Sequence, residues 1–311
     1  MNSLKQMSRE MAEFSFQARD VLVQGQLCRL AHVDGDGYKF LANPESAIAA
    51  LRRSNARADL FTFLQKLPET SPRYPYPFEW DNLAVLPIST FDHWWSQQIG
   101  FKARNKAKQA QKKGIEIREV PFDDALVHGI WQIYNEVPVR QGRRFPHYGK
   151  SLEAVRAMSA TFLDSSVFIG AFDRDKLIGF IKLTVDDTRR QAGVMHILSL
   201  ICYRDKAPTN ALLVHAVRSC ADLGITHLVY ANFGYGKKVR SSLSDFKERN
   251  GFQRVDVPRY YVPLTRWGAV AFRLGLHRRF TERLPEPVAA KLRELRNHWY
   301  QHRFHLKPES F

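Results

Sequence analysis

Three features are scarce in this 311-residue chain: cysteines, long apolar runs and, in one segment, acidic residues. The three cysteines, Cys28, Cys202 and Cys220, are far apart and form no Cys-x-x-Cys pair. The sequence therefore predicts neither a disulfide framework nor a zinc site, and we expect no metal. Such cysteine usage suits the reducing cytoplasm, which is the predicted location. No stretch approaches the roughly 18 apolar residues of a membrane-spanning helix.

Acidic residues are outnumbered by basic ones. The chain has 47 Lys and Arg against 31 Asp and Glu, a formal net charge of +16. A balance of this kind predicts an anionic partner, which is a nucleic acid, a phosphorylated cofactor or a membrane surface. Net charge alone does not distinguish between these three.

Between His93 and Ile115 there is no acidic residue at all. Alanines at helical spacing predict a helix over 101–113, with a small-residue face that packs closely on another element and Gly114 as its stop. Its cations predict a site for a polyanion such as tRNA. The alternative is the solvated face of a packed helix, with cations that suit its C-terminal end. The cations are Lys102, Arg104, Lys106, Lys108, Lys112 and Lys113.

The most informative pattern runs from residue 167 to residue 262. An apolar run at 167–172 predicts a buried strand, and alternation over 177–185 predicts a second strand paired back on it as a hairpin. A third strand is predicted at 193–201. Helical spacing over 210–223, closed by Gly224, predicts a helix, and 225–230 predicts the next strand.

A polar turn at 204–210 separates the third strand from that helix. Thr209 or Asn210 is expected to cap the helix, or Pro208 to be its first residue. In each case unpaired N–H groups and the positive end of the helix dipole predict a phosphate or pyrophosphate site. The alternative is an ordinary capped helix with two solvated cations. The predicted cofactor contacts are Leu200, Ile201, Arg204, Lys206, Ala207, Pro208, Thr209 and Asn210.

The order of these elements, closed by Asn250-Gly251-Phe252, resembles the acyltransferase fold of the GNAT superfamily over residues 115–263. The basic helix and the segment 204–212 look like Fem-type aminoacyltransferases, a branch of that superfamily. The resemblance implies an α/β fold class, with a mixed, mostly antiparallel sheet flanked by helices. It also implies an acyl-CoA donor, since the polar turn stands where the family binds coenzyme A, although Ala207 and Thr209 replace the usual glycines.

Three consecutive parts are expected along the chain. Residues 1–92 form a small α/β unit, at the position where Fem-type proteins carry a degenerate copy of the acyltransferase fold. Residues 93–263 form the GNAT-like domain with its leading basic helix. Residues 264–311 form a basic, amphipathic helical C-terminus, which either packs on its own domain or lies on an anionic membrane. Its apolar positions are Leu284, Val288, Leu292, Leu295 and Trp299.

The resemblance implies direct attack of an acceptor amine on a thioester, helped by a base and by an acid for the leaving group. Phe246 stands where the family commonly has its acid, a tyrosine, so Tyr235 is the candidate acid and Asp186 the candidate base. Asn232 matches a position that contacts the pantetheine arm. The alternatives are an aromatic packed under a glycine turn for Tyr235 and a turn residue for Asp186.

An arginine-rich loop at 138–150 is the candidate acceptor site. The proposed contacts are Arg140, Arg143, Arg144 and Tyr148, because guanidinium groups suit a carboxylate or a phosphate. The alternative is an exposed basic loop without a ligand.

Together these patterns predict a cytoplasmic N-acyltransferase. It would move an acyl group from an acyl-CoA such as acetyl-CoA, or a similar phosphopantetheine thioester, to a small-molecule or cell-envelope amine. A tRNA-dependent aminoacyltransferase of Fem type is the first alternative. The second is a non-catalytic module that binds nucleic acid or a membrane surface, which the missing loop glycines and Phe246 favour.

Overall fold

The computed structural model describes residues 21–38, 40–41, 43–54, 56–234, 241–278 and 285–304. Contacts divide the chain into two compact units. The first comprises Met1–Asn82 and Asp256–Arg283, and the second comprises Leu83–Val255 and Leu284–Phe311. Each unit is thus built from two separate stretches of the chain. The three consecutive parts expected from the sequence do not include this arrangement.

The described strands and helices follow one another along the chain. They are β1 (Val21–Gln24), β2 (Leu30–Val33), α1 (Pro44–Arg53), β3 (Leu60–Leu64), β4 (Phe78–Pro87), α2 (Phe101–Lys112), β5 (Ile115–Glu119), α3 (Asp124–Tyr134), β6 (Val139–Arg140), β7 (Arg143–Arg144), α4 (Leu152–Ser159), β8 (Ser166–Asp173), β9 (Lys176–Val185), β10 (Gln191–Ser199), α5 (Pro208–Asp222), β11 (His227–Asn232), α6 (Ser242–Arg249), β12 (Gln253–Pro263), α7 (Arg266–Arg273) and α8 (Glu286–Phe304). A short helical segment, 91–98, precedes α2, and a 3-10 helix, Ile201–Lys206, precedes α5.

The first unit is a small sheet with one helix on it. β1 pairs antiparallel with β2, β2 pairs parallel with β3, and β3 pairs antiparallel with β12. α1 begins where the Asn43 side chain accepts a hydrogen bond from the Ser46 N–H, and Pro44 lies in its first turn. Ile48 of α1 is buried in the same core cluster as Phe61 of β3. This part of the chain therefore has its own core.

The sheet of the second unit confirms the predicted fold class. Its strand order is β4, β11, β10, β9, β8, β5, with β10 and β11 parallel and the other neighbours antiparallel. The predicted hairpin is formed by β8 and β9, and the predicted third strand is β10. The result is a mixed, mostly antiparallel sheet flanked by helices, as expected of a GNAT-like fold.

Helices cover both faces of this sheet. The Tyr134 ring of α3 lies 6.0 Å from the Phe180 ring of β9. Leu212 of α5 lies instead against Gly179, the preceding residue of β9. Since successive residues of a strand point to opposite faces, α3 and α5 lie on opposite sides of the sheet.

The predicted basic helix is α2, which packs on α5 and α6. Its alanines, Ala103, Ala107 and Ala110, are buried, so the small-residue face is used for close helix packing as expected. Its lysines lie on the remaining, exposed surface. The helix therefore presents charge on one side while the other side belongs to the core.

Candidate functional site

The central geometric feature of the second unit is the separation of β10 from β11. The two strands pair only where Gln191–Gly193 faces His227–Val229, although β10 continues to Ser199 and β11 continues to Asn232. β10 has an irregularity between Val194 and His196, and β11 has one after Val229, where Ala231 adopts a φ of 45°. Bulges bend strands, so both strands diverge and leave a wedge between their ends.

The residues that line this wedge are half-buried. They are His196, Ile197, Leu198 and Ser199 of β10 and Tyr230, Ala231 and Asn232 of β11. Backbone N–H and C=O groups along a strand need partners. A wedge between two strand ends can therefore accept an extended ligand that continues the hydrogen-bonding pattern.

The predicted phosphate turn directly follows β10. It is a 3-10 helix, Ile201–Lys206, and α5 then begins with Pro208 as its first residue. The cap position is Ala207, at a φ of 52°, so the expectation that Thr209 or Asn210 caps the helix is wrong. The Thr209 hydroxyl instead lies 3.1 Å from the Ser199 hydroxyl. No side chain caps α5, but Pro208 has no N–H and the N–H groups of Ala207 and Asn210 donate to the carbonyls of Arg204 and Ala207, so few backbone donors are left there for an anion.

A carboxylate already binds the start of the 3-10 helix. Glu136 accepts hydrogen bonds from the N–H groups of Ile201 at 2.7 Å and Cys202 at 3.0 Å. Arg140 donates to Glu136, and also to the carbonyls of Ser199 and Ile133. Both side chains are largely buried, with 13% exposure for Arg140 and 16% for Glu136. Arg140 therefore joins α3 to the end of β10, and both of its terminal nitrogens are engaged by protein oxygens.

Four of the charged groups around the turn form two ion pairs. Lys206 binds Asp173 at 2.6 Å, which raises the pKa of Lys206. Asp205 binds Lys113 of α2 at 2.8 Å, and this bond lowers the pKa of Asp205. Arg204 is exposed and makes no hydrogen bond or ion pair with a described residue. Of the two cations predicted for the pyrophosphate, only Arg204 is thus available to a ligand among the residues described.

The basic helix and the turn are brought together by the fold. Gln109 and Lys113 of α2 both donate to the backbone carbonyl of Asp205. Arg104 donates to the carbonyls of Ser96 and Ile99, so it stabilises the end of the preceding helical segment. Lys106 donates to the Gln109 side chain. Within the part of the chain that the structure describes, three exposed cations of α2 have no partner: Lys102, Lys108 and Lys112.

The sequence did not identify Lys247 of α6, which lies at the end of β11. Its side chain is fully buried, its Nζ donates to the Asn232 carbonyl at 2.6 Å, and its ammonium lies 4.4 Å from the centre of the Tyr230 ring. Burial lowers the pKa of Lys247 to about 7. Phe246 occupies the position where the resembling family commonly has a tyrosine acid, and its side chain packs on the hydrophobic core. Helical phase, rather than residue type, decides which of the two neighbours reaches the end of β11.

The other two candidates for proton transfer are Tyr235 and Asp186. Tyr235 lies outside the described residues. Asp186 closes the turn between β9 and β10, where it accepts hydrogen bonds from the N–H groups of Arg190 and Gln191 and from the Thr188 hydroxyl. That turn is at the start of β10, and nine residues of strand separate it from the polar turn, roughly 30 Å. The geometry therefore gives Asp186 the role of a turn residue.

A cluster of titratable groups lies on the α3 side of β9 and β10. His196 is paired in register with Lys182, and its ring lies 5.7 Å from the ring of His147, which stacks on Tyr134. Burial lowers the pKa of His196 to about 4, with help from the charges of His147 and Lys182. Burial likewise lowers the pKa of Lys182 to about 8. The two histidines are therefore neutral at pH 7.

The remaining acceptor candidates lie on a small hairpin. β6 pairs with β7, which places Arg143 and Arg144 at exposed positions, and Tyr148 is 43% exposed. Neither arginine forms an ion pair with a described residue. They are accessible to an anionic acceptor, in contrast to Arg140.

No family model matches the sequence, and no curated protein matches it. Among solved structures, the C-terminal DUF2156 domain of a protein described as a lysylphosphatidylglycerol synthetase from Agrobacterium fabrum is similar, with a TM-score of 0.53 and 14% identity over 81% of this chain and 83% of that one. L-PGS from Bacillus licheniformis has a TM-score of 0.53 and 13% identity, over 85% and 89% of the two chains. At these identities the likeness shows a shared fold.

Proposed function

We propose that this chain is an acyl- or aminoacyltransferase in which donor and acceptor meet between the ends of β10 and β11. The observation that carries the proposal is the early end of strand pairing, which leaves a wedge beside the uncapped start of α5. Two solved neighbours of the same fold are named for lysylphosphatidylglycerol synthesis, and their names support transfer of an aminoacyl group.

The reaction follows from the groups at the wedge. The nitrogen of a neutral acceptor amine attacks the donor carbonyl carbon, so that a C–N bond forms and the bond to the leaving oxygen or sulfur breaks. Lys247 is the candidate acid: its ammonium gives a proton to the leaving group, and the proton lost by the amine restores the lysine through solvent. A pKa of about 7 suits this role, because the acid is then half-protonated near neutral pH.

The residues around the turn fit coenzyme A poorly. The N–H groups of Ile201 and Cys202 are bound by Glu136, and Lys206 is bound by Asp173. A pyrophosphate beside the Glu136 carboxylate would meet like charge. Pro208 has no N–H and Asn210 donates its N–H to the Ala207 carbonyl, so the side chain of Arg204 and few backbone donors remain, which is a small donor set for two phosphates. We therefore derive no step through coenzyme A.

An aminoacyl ester of tRNA is the donor that the geometry favours. α2 contacts the turn through Asp205, so its three unpartnered lysines extend a basic surface from the wedge. A long polyanion gains its affinity along such a surface rather than at one phosphate pocket. The acceptor amine would then approach from the side of His196, where Arg143, Arg144 and Tyr148 stand as candidate contacts for its anionic groups.

One experiment separates the two donors. The protein is incubated either with a tRNA pool carrying radiolabelled amino acids or with radiolabelled acetyl-CoA, each with a panel of primary amines and a total lipid extract. We expect label to move from aminoacyl-tRNA and not from acetyl-CoA, and the Lys247→Met variant to stop the transfer. Transfer from acetyl-CoA at moderate salt would restore the acyl-CoA assignment. Tight binding of tRNA without transfer from either donor would mean a binding module.

A further inference from the structure

Helix α8 has an apolar stripe that its own unit leaves uncovered. The four side chains of the stripe are 46%, 48%, 59% and 56% exposed, in the order Val288, Leu292, Leu295 and Trp299. At about 100° per residue they fall within an arc of roughly 60° on the helix surface. Large apolar side chains exposed together mark an interaction surface, whereas single ones do not. The stripe thus needs an occupant.

Basic side chains flank the stripe on both sides. Lys291 lies on one edge and Arg303 on the other, and both are exposed. The exposed acid Glu294 lies further around the helix, away from both edges. Long cationic side chains that border an apolar face can extend their charges to the level of phosphate groups while their stems remain on the apolar surface. The occupant is therefore anionic at its rim and apolar beneath it.

The packed face of α8 is a different one. Arg296 donates to the carbonyl of Gly142, in the turn between β6 and β7, and Tyr300 is half-buried on the same side. This contact fixes the helix on the second unit, next to the hairpin that carries Arg143 and Arg144. The stripe is then held outward by the rest of the helix.

We propose that α8 lies in the surface of an anionic lipid bilayer, with its apolar stripe among the acyl chains and its cations at the headgroups. Among the described residues no helix is long and apolar enough to cross a membrane, so α8 would lie along the surface. Trp299 suits this position because indole rings favour the membrane interface. A second copy of the helix is a poorer occupant, since a symmetric pair would bring the like-charged edges together.

The test is a flotation assay with two kinds of vesicle, pure phosphatidylcholine and phosphatidylcholine with about one-third phosphatidylglycerol. We expect the wild-type chain to float with the anionic vesicles at least tenfold more strongly than with the neutral ones. Leu292→Glu/Leu295→Glu should lower anionic binding at least tenfold. Leu223→Glu is the matched control, because Leu223 is 47% exposed at the end of α5, and it should bind as wild type does.

Each contrary outcome has a clear meaning. Unchanged flotation of Leu292→Glu/Leu295→Glu, with circular dichroism equal to wild type, would overturn the proposal. Binding to neutral vesicles as strong as binding to anionic ones would contradict the proposed contact between the cations of α8 and the headgroups. A wild-type dimer that the double variant converts to a monomer would make the stripe a contact between copies. The assay contains no acyl or aminoacyl donor, so its result stands whether or not the transferase activity is found.

Discussion

At the residue scale, Lys247 carries the proposed chemistry. Lys247→Met should lower the transfer rate at least about 100-fold, the usual effect of losing an acid at the leaving group. The fold should persist, because methionine is similar in length and the variant removes a buried charge. Since the ammonium is the active form and its pKa is about 7, the wild-type rate, compared at equal concentrations of neutral acceptor amine, should fall about tenfold per pH unit above neutrality. A pH-rate profile between pH 6 and 9 measures both effects.

The matched control for Lys247 is Lys182, which is also fully buried in the second unit. Its ammonium donates to the carbonyls of Ser159 and Thr161 at the end of α4. Lys182→Met removes an equally buried charge from a site that does not touch the leaving group. We expect it to keep the alkaline fall in rate. If the residual activity of Lys247→Met showed the same alkaline fall, another group would be the acid.

The second prediction at this scale concerns the contribution of the Glu136–Arg140 ion pair to stability. Glu136→Gln leaves a largely buried guanidinium without its counter-charge, so the free energy of unfolding should fall by about 2–3 kcal/mol. Adding Arg140→Met should cost less than the sum of the two single changes, with a coupling above about 1 kcal/mol. Urea titration of the four proteins measures the cycle. Additivity within about 0.5 kcal/mol would mean that the pair does not join α3 to β10.

At the scale of the elements, α2 divides its cations between structure and solvent. Lys102, Lys108 and Lys112 have no partner among the described residues, whereas Arg104 holds the carbonyls of Ser96 and Ile99. Replacing the three lysines with alanine should weaken tRNA binding and reduce the slope of log affinity against log salt, with little change in thermal stability.

Arg104→Ala is the control for the triple lysine variant of α2. It removes one cation that stabilises a helix end, so it should lower thermal stability more than the triple lysine variant does, and lower tRNA affinity less. Filter binding at several salt concentrations and a thermal melt measure the two effects. Equal tRNA affinity for the triple variant and wild type would leave α2 as a packing helix alone.

The elements of the second unit were largely predictable, for reasons that lie in local periodicity. Strands β8 and β9 have the apolar run and the alternation of a hairpin, and α5 has a helical repeat between Pro208 and Gly224. These patterns reflect burial of one segment against its neighbours. The predicted residues of the turn also lie where expected, directly after β10.

The parts that were not predicted depend on distant segments. Glu136 accepts hydrogen bonds from the N–H groups of Ile201 and Cys202, which lie 65 and 66 residues later in the sequence. No local sequence pattern predicts that contact. Lys247 is one residue from Phe246, and its burial depends on how α6 meets β11. Tertiary contacts decide these positions, so sequence reasoning misses them.

At the scale of the whole molecule, some basic side chains are paired within the fold, and the net charge of +16 is the excess of basic over acidic side chains. Lys113, Lys206 and Arg140 hold Asp205, Asp173 and Glu136, and these pairs fix the surroundings of the turn. The unpartnered cations of α2 and the exposed cations of α8 are the ones available to polyanions or to headgroups. The same excess charge repels itself, so the molecule is expected to associate with anions more strongly at low salt.

Stability should depend on pH through buried groups that titrate between neutrality and pH 12. Lys247 and Lys182 have pKa values of about 7 and about 8 when folded, below about 10.4 when unfolded. From pH 7 upward the unfolded chain therefore binds more protons, and the free energy of unfolding rises. Burial raises the pKa of Cys220 and, with Glu45, of Tyr76, each to about 12, so the folded chain keeps those protons longer and stability falls again in alkali. Urea titrations should show a maximum near about pH 10, where the loss from Cys220 and Tyr76 overtakes the gain from the two lysines, and Lys247→Met/Lys182→Met should flatten the rise below it. A rise of the same size in the double variant would assign it to other groups.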